Sequence, residues 1–232
     1  MTLAPGGWRY AVPPALAAVP ALVFSVGLSA ALLALAVGVV AFFRDPDRTP
    51  PTTGVLSPAD GTVSVIREED DRLRVGVFMN VWNVHVNRAP MAGTVESVEH
   101  RPGAHRPAFS KESDRNERVW IDFGECDVSL IAGAFARRIH PYVEAGDAVS
   151  RGERIGHIAF GSRADVLLPP SVDRADLAVE TGEKVTAGES VIAHSGDETP
   201  PVGGEVVLGV DDAGDESGPN GADVADEEGG PA

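Results

Sequence analysis

From Ala11 to Phe43 the chain carries no charged side chain. An uncharged apolar run of that length exceeds what one face of a soluble core helix can cover, so the segment is expected in lipid. A cleavable signal peptide has a shorter apolar region that ends at a small-residue site, whereas this run ends at Phe42-Phe43-Arg44. One bilayer span takes about 20 residues and two take about 40. The run therefore suits a tilted single span beginning near Pro20 or a re-entrant hairpin of two short helices. Arg9 on one flank and Arg44 and Arg48 on the other meet on the same side only in a hairpin, and cytoplasmic flanks are the ones that collect arginine. Charge leans toward the hairpin, and length admits both. Either form attaches the protein to the cell membrane, with the remainder expected at its cytoplasmic face.

Beyond Pro50 the pattern changes to short alternating runs punctuated by Gly, Pro and Asp, without a 3.6-residue period long enough for a buried helix. This predicts a mainly β fold. The region also repeats itself. Pro58-Ala59-Asp60-Gly61-Thr62-Val63 recurs as Pro90-Met91-Ala92-Gly93-Thr94-Val95, and the Gly146–Ile155 stretch recurs as Gly182–Val191, each opening Gly-acid-x-Val. Each pair resembles one half of the biotinyl or lipoyl carrier fold, which implies a duplicated barrel-sandwich. Good β-turn sequences alone would explain part of the match.

The formal charge is −16, from 35 acids against 19 bases, and the bases are 17 Arg with only Lys111 and Lys184. An acidic, lysine-poor chain fits a high-salt cytoplasm, where screening relieves self-repulsion, and it argues against nucleic acid as a partner. Residues 197 to 232 hold eleven acids and no base with little apolar material, so a disordered acidic tail is expected there. The expected organisation is thus a membrane segment with its juxtamembrane linker over 1–48, a β domain over 49–196 and the tail over 197–232. Cys126 is the only cysteine, which excludes an intrachain disulfide and a cysteine-based zinc site. No His-x-x-x-His or comparable ligand cluster occurs, so no metal is expected.

Phe160-Gly161-Ser162, followed by Arg163-Ala164-Asp165-Val166-Leu167-Leu168-Pro169, carries the most specific chemical signal. A serine hydroxyl after glycine can attack the preceding carbonyl, which glycine leaves unshielded, although an isolated Gly-Ser is most often a turn or a bulge. Its context is decisive. The run Arg154–Arg163 resembles the self-cleavage segment of the short-form phosphatidylserine and archaetidylserine decarboxylase proenzymes. The resemblance extends through Phe43-Arg44-Asp45-Pro46-Asp47-Arg48, Ser57-Pro58-Ala59-Asp60-Gly61, Asn80–Arg88 and Asn116-Glu117-Arg118.

That resemblance implies self-cleavage between Gly161 and Ser162 into a β chain of 1–161 and an α chain of 162–232. Ser162 attacks, an ester forms by N-to-O acyl shift, and β-elimination followed by hydrolysis with loss of ammonia leaves a covalent pyruvoyl group at residue 162. This group would form a Schiff base with a serine phospholipid in the membrane and serve in place of pyridoxal phosphate as the electron sink for loss of CO2. The implied family triad maps onto Asp60, His85 and Ser162, with His85 as base and Asp60 fixing its tautomer. His85 is also the plausible acid that reprotonates the product carbanion. A high-salt composition points to an archaeon and so to an ether-linked substrate. Besides the lipid and the two chains cut from one precursor, a second copy of the chain is an admissible partner.

The residues by themselves say less. Alternation over Asn83-Val84-His85-Val86-Asn87 sets His85 on a polar face with Asn83 and Asn87, which favours a functional histidine over a core one. Asp60 in Asp-Gly is by default a turn residue. His157, five residues before Ser162, has the opposite strand parity and would face away unless Gly161 bulges the strand, so it ranks second as base. His100, His105 and His194 lie among polar loop residues. Cations for the phosphodiester are sought in Arg88, Arg101, Arg115 and Arg118, with residues 100–118 as a flap. Two other classes fit parts of the pattern. A biotin or lipoyl carrier needs a lysine displayed on a hairpin tip, a setting that neither lysine has. A zinc endopeptidase of the cell-wall type needs His-x-His, where this chain has Val84-His85-Val86.

Overall fold

The computed structural model describes residues 2–103, 115–133, 138–159 and 162–194. The expected acidic tail, Lys111 and the Phe160-Gly161 side of the expected cleavage site lie outside the described residues.

The apolar run folds as two helices, α1 (Trp8–Phe24) and α2 (Val26–Phe42), of 17 residues each. Ser25 divides them. Its extended backbone (φ −164°, ψ 126°) breaks the helix, and its side chain accepts a hydrogen bond from the Leu28 N–H (3.4 Å), so one residue serves as turn and N-cap. The helices return on each other. Ser29 Oγ donates to the Ala18 carbonyl (2.8 Å), and the buried positions are the small residues Ala11, Ala18, Ala21, Ser29 and Ala36, which let the backbones approach closely. At the open end Tyr10 stacks on Phe43 with ring centroids 5.4 Å apart. A single span beginning near Pro20 is not what forms, because α1 runs through Pro20 to Phe24. Each helix is about 25 Å long at 1.5 Å per residue, against about 30 Å of bilayer hydrocarbon. Neither is long and apolar enough to cross a membrane. The outer faces stay bare, with Val23 and Phe24 at the tip each 85% exposed.

Strands β1 (Thr2–Leu3) and β2 (Arg44–Asp45) pair across the base of the hairpin. The β domain follows, as β3 (Val55–Leu56), β4 (Gly61–Glu69), β5 (Arg72–Met79), β6 (Val86–Arg88), β7 (Gly93–Thr94), β8 (Ser97–Arg101), β9 (Arg118–Asp122) and β10 (Asp127–Ala132). It continues as β11 (Ile139–Pro141), β12 (Ala148–Val149), β13 (Arg154–Ile158), β14 (Ser162–Leu167), β15 (Lys184–Val185) and β16 (Val191–Ala193). One turn of 3-10 helix forms at Arg174–Asp176. The largest sheet runs β15-β4-β5-β14-β10-β9-β8, and a smaller one runs β11-β13-β6, all antiparallel. Val75, Val77, Met79, Val128, Leu130, Ala164 and Val166 from the central strands, with Ile155 and Ile158 from β13, form the core.

The sequence repeat is a structural one. Thr94 and Gly93 of β7 pair with Ala148 and Val149 of β12, just as Thr62 and Gly61 of β4 pair with Lys184 and Val185 of β15. The flanking hydrogen bonds repeat too. Val95 exchanges bonds with Asp147 and Gly146 as Val63 does with Glu183 and Gly182. Gly146 and Gly182 have φ of +95° and +97°, a left-handed conformation that side-chain-bearing residues rarely adopt.

Candidate active site

Ser162 is the first residue of β14 and fully buried. Its neighbours across the sheet are Met79 on β5 and Ala132 on β10, so it stands at the head of a central strand with a paired strand on either side. The expected cleavage site falls between the two sheets in the chain order, since β13 ends at Ile158 in the smaller sheet and β14 begins at Ser162 in the larger one. Among the described residues the Ser162 hydroxyl hydrogen-bonds only the thioether of Met79 (Oγ–Sδ 3.9 Å), a weak acceptor that leaves the oxygen undercommitted.

The same sulfur meets the Asn87 amide (Nδ2–Sδ 3.8 Å), which also donates to the Pro58 carbonyl (3.3 Å). Asn87 Oδ1 is buried with no hydrogen-bond partner. Met79 carried no sequence signal. Asn87 did, through its place two residues after His85, and Asn116 did through Asn116-Glu117-Arg118. Asn116 Nδ2 donates to the carbonyl of Ala132, the strand neighbour of Ser162 (2.7 Å).

His85 is not on a solvated face. It is 3% exposed, in the segment just before β6, and its ring lies 4.3 Å from that of Phe42. Alternation failed here because the segment is not yet a strand and because the hairpin supplies an apolar lid. Asn80 and Asn83 fix the approach, as the Asn83 side chain accepts from the Asn80 N–H (2.9 Å) and the Asn80 side chain from the Trp82 N–H (2.8 Å). The Asn83 carbonyl can only accept, so His85 Nδ1 carries the proton and donates to it (2.9 Å). Nε2 is then the bare nitrogen, buried and without a partner. Burial pushes the imidazole pKa down to about 4, with the Arg44 charge assisting and the Asn83 hydrogen bond opposing. At neutral pH His85 is an uncharged base in the tautomer that can accept a proton.

Asp60 lies beside this cluster, but its carboxylate points elsewhere. Arg48 Nη2 reaches both of its oxygens at 3.0 Å, and the Ala187 N–H donates to Oδ1 (2.8 Å). No hydrogen bond joins Asp60 to His85 or His85 to Ser162 among the described residues. The backbone of the Asp60 turn does reach the site, through the Pro58 carbonyl on Asn87 and through Gly61, where an added Cβ would lie 2.1 Å from the Phe78 carbonyl oxygen.

His157, the second-ranked base, is also buried, with a pKa lowered to about 4 by burial and by His140 and His85. Its Nδ1 is engaged by the Tyr142 hydroxyl (2.7 Å), and its ring stacks on His140 at 4.6 Å. Its strand pairs with β6, and the Ile158 N–H donates to the His85 carbonyl (3.3 Å).

The four candidate arginines separate. Arg88 is 5% exposed and bound to the Asp45 carboxylate (3.1 Å) and to the Gly152 and Pro46 carbonyls (3.0 and 2.8 Å), so its guanidinium is committed inside the protein. Arg101, Arg115 and Arg118 come together with Pro102 and Asn116 around a cavity of about 270 Å³ at the β8 edge of the large sheet. Arg101 already pairs with Glu99 (2.8 Å). Residues 104–114, the middle of the expected flap, are outside the described residues. Among the described residues, no group of three His, Cys, Asp or Glu side chains could hold a metal ion.

The family model of phosphatidylserine decarboxylase matches residues 35–193 of the chain. A protein of Halobacterium salinarum named "Putative archaetidylserine decarboxylase proenzyme" is 65% identical over 82% of this chain and 97% of its own length. A phosphatidylserine decarboxylase proenzyme of Thermobifida fusca is 56% identical over 70% of this chain and 76% of its own. One of Streptomyces griseus is 54% identical over 67% and 73% respectively.

Proposed function

Since the chain belongs to the phosphatidylserine decarboxylase family, we propose that it is a membrane-bound carboxy-lyase that cuts itself at Gly161-Ser162 and then removes CO2 from a serine phospholipid to give the ethanolamine lipid. The observation that carries the reading is the juxtaposition at residue 162. A fully buried serine with an undercommitted hydroxyl opens a central strand and shares the Met79 thioether with Asn87, whose amide oxygen is buried without a partner. Two residues before Asn87, the buried His85 leaves its Nε2 without one.

In the first stage Ser162 Oγ adds to the Gly161 carbonyl and His85 Nε2 takes the hydroxyl proton. Peptide nitrogen becomes amine, Gly161 is held as an ester, and elimination releases it as a carboxylate. The tautomer-setting task that the family pattern gives Asp60 is met in this chain by the Asn83 carbonyl. Asp60 instead secures the 57–61 turn against Asn87 through Arg48 and the Ala187 N–H.

The described contacts at position 162 fit a pyruvoyl group. Ser162 meets a thioether that also meets the Asn87 amide NH2, a neutral donor, and neither is a carboxylate that would repel a carbonyl oxygen. When formed, that group supplies the electron sink for the leaving CO2. Asn87 and His85 would hold it, and His85, able to gain a proton at Nε2, would return one to the product carbon. Buried Met79 and the Phe42 lid keep water from that carbon.

The bare faces of α1 and α2 enter the cytoplasmic leaflet as a re-entrant hairpin, with Arg9, Arg44 and Arg48 at its base. We read the duplicated units as two halves of a biotinyl/lipoyl-like barrel-sandwich, and ether-linked archaetidylserine as the substrate, in keeping with the acidic, lysine-poor composition.

Intact-mass analysis of wild type beside Ser162→Ala tests the proposal without substrate. Wild type is expected as chains 1–161 and 162–232, the second blocked by a carbonyl that reacts with hydrazide, while the variant stays whole. A single uncut chain in folded wild-type protein overturns it.

A further inference from the structure

At the base of the helical hairpin, on the side where α1 begins, lies a cavity of about 310 Å³ lined by Pro5, Gly6, Arg9, Tyr10, Arg138, His140 and His157. The catalytic steps above leave it without a role. We infer that this cavity, through Arg9 and Arg138, is the seat of the substrate's phosphodiester, an inference that rests on the lipid decarboxylase reading.

Charge is the first reason. In a chain with 35 acids and 19 bases, this lining contains two arginines and two histidines and no carboxylate. Arg48, Arg72, Arg74, Arg88, Arg154 and Arg163 each have a carboxylate partner. Arg9 and Arg138 have none among the described residues. Two guanidiniums from distant parts of the chain, one on α1 and one just before β11, are brought together by the docking of the hairpin, and no carboxylate among the described residues pairs with either.

Neutral donors complete the lining. Tyr142 holds His157 Nδ1, which leaves Nε2 as the available ring nitrogen, and His140 stacks against the same ring. Burial lowers both imidazole pKa values, so at pH 7 they offer N–H groups without adding charge.

Position is the second reason. The cavity opens where the apolar hairpin meets the β domain, which is the level of lipid headgroups if the hairpin is immersed. Tyr10 lines it, and Tyr10 stacks on Phe43, which lines a separate apolar cavity of about 470 Å³ with Leu35, Val39, Phe42, Val81 and Trp82. One aromatic pair thus borders a cationic cavity and an apolar one, the two surfaces that an anionic headgroup and its chain require. His157 is also only five residues from Ser162 along the chain.

A guanidinium on the substrate carboxylate would stabilise the charge that must be lost as CO2, and so would slow the reaction. A guanidinium on the phosphodiester binds the headgroup through a group that does not change. The basic cavity of Arg101, Arg115 and Arg118 lies at the far β8 edge and is not needed for this task.

The test uses the self-cleaved enzyme with archaetidylserine in neutral mixed micelles, and Arg138→Gln and Arg9→Gln as variants on different elements. Loss of one charge-assisted hydrogen bond predicts KM raised roughly tenfold or more in each, with kcat changed far less. Arg138→Lys should recover part of the loss. Inhibition by soluble glycerophosphoethanolamine should weaken in parallel with KM. Unchanged KM in variants that cleave normally overturns the inference. So does a raised KM with unaltered glycerophosphoethanolamine inhibition, which would mark the arginines as mere attractors of an anionic surface. If cleaved wild-type enzyme releases no CO2 from a serine lipid, the decarboxylase reading itself fails, and that result is read before any variant is made.

Discussion

At residue scale the proposed chemistry depends on two weakly engaged atoms, Ser162 Oγ with only a thioether for a partner among the described residues and the buried His85 Nε2 with none. Because burial lowers the His85 pKa to about 4, its neutral form persists well below the ordinary value of about 6.5. Self-cleavage should therefore run at a constant rate from pH 8 to about pH 5 and fall off around pH 4, followed by the appearance of the 162–232 chain in denaturing gels. A fall centred at 6.5 or above would mean that the base is solvated or is another group. His85→Ala should leave an uncut proenzyme, whereas His157→Ala should still cleave. The same shift acts on folding. The unfolded chain binds a proton on His85 below about 6.5 and the folded protein only near 4, so stability present above 6.5 is lost as pH falls between them. His85 was legible from its motif, but its surroundings were not. Period-2 alternation put it on a polar face, and the apolar contact that buries it comes from Phe42, which is remote in sequence. Asp60 shows the converse. Its Asp-Gly turn was legible, and the direction of its carboxylate was decided by Arg48 and Ala187.

At the scale of elements, the hairpin and the duplicated β units were both written in the sequence, one as an uncharged run and the other as two recurring motifs. What the sequence left open was the division of the run. Ser25 settles it, since an extended residue with a capping hydroxyl ends one helix and starts the next. The tip is the part to perturb. Val23→Asp with Phe24→Asp removes two exposed apolar side chains and adds two charges, and each Phe- or Val-sized burial is worth about 1.5–3 kcal/mol. Cosedimentation with vesicles should drop at least about tenfold while self-cleavage proceeds at the wild-type rate. Full retention on vesicles would refute immersion of the tip.

At the scale of the molecule, the proposed cut is placed so that neither product is orphaned. The 1–161 chain keeps β5 and β10, and the 162–232 chain keeps β14, which pairs with both of them along its whole length. The two chains should coelute in size-exclusion chromatography after complete cleavage and separate only in denaturant. Dissociation under native conditions would contradict the sheet order. The sequence alone determined the elements and the family motifs, because hydrophobic period, turn residues and a nucleophile after glycine are local properties. Only the tertiary structure decided the partners. A carboxylate's direction, a histidine's burial and the meeting of Arg9 with Arg138 depend on which distant segments the core brings together, and no local pattern encodes that.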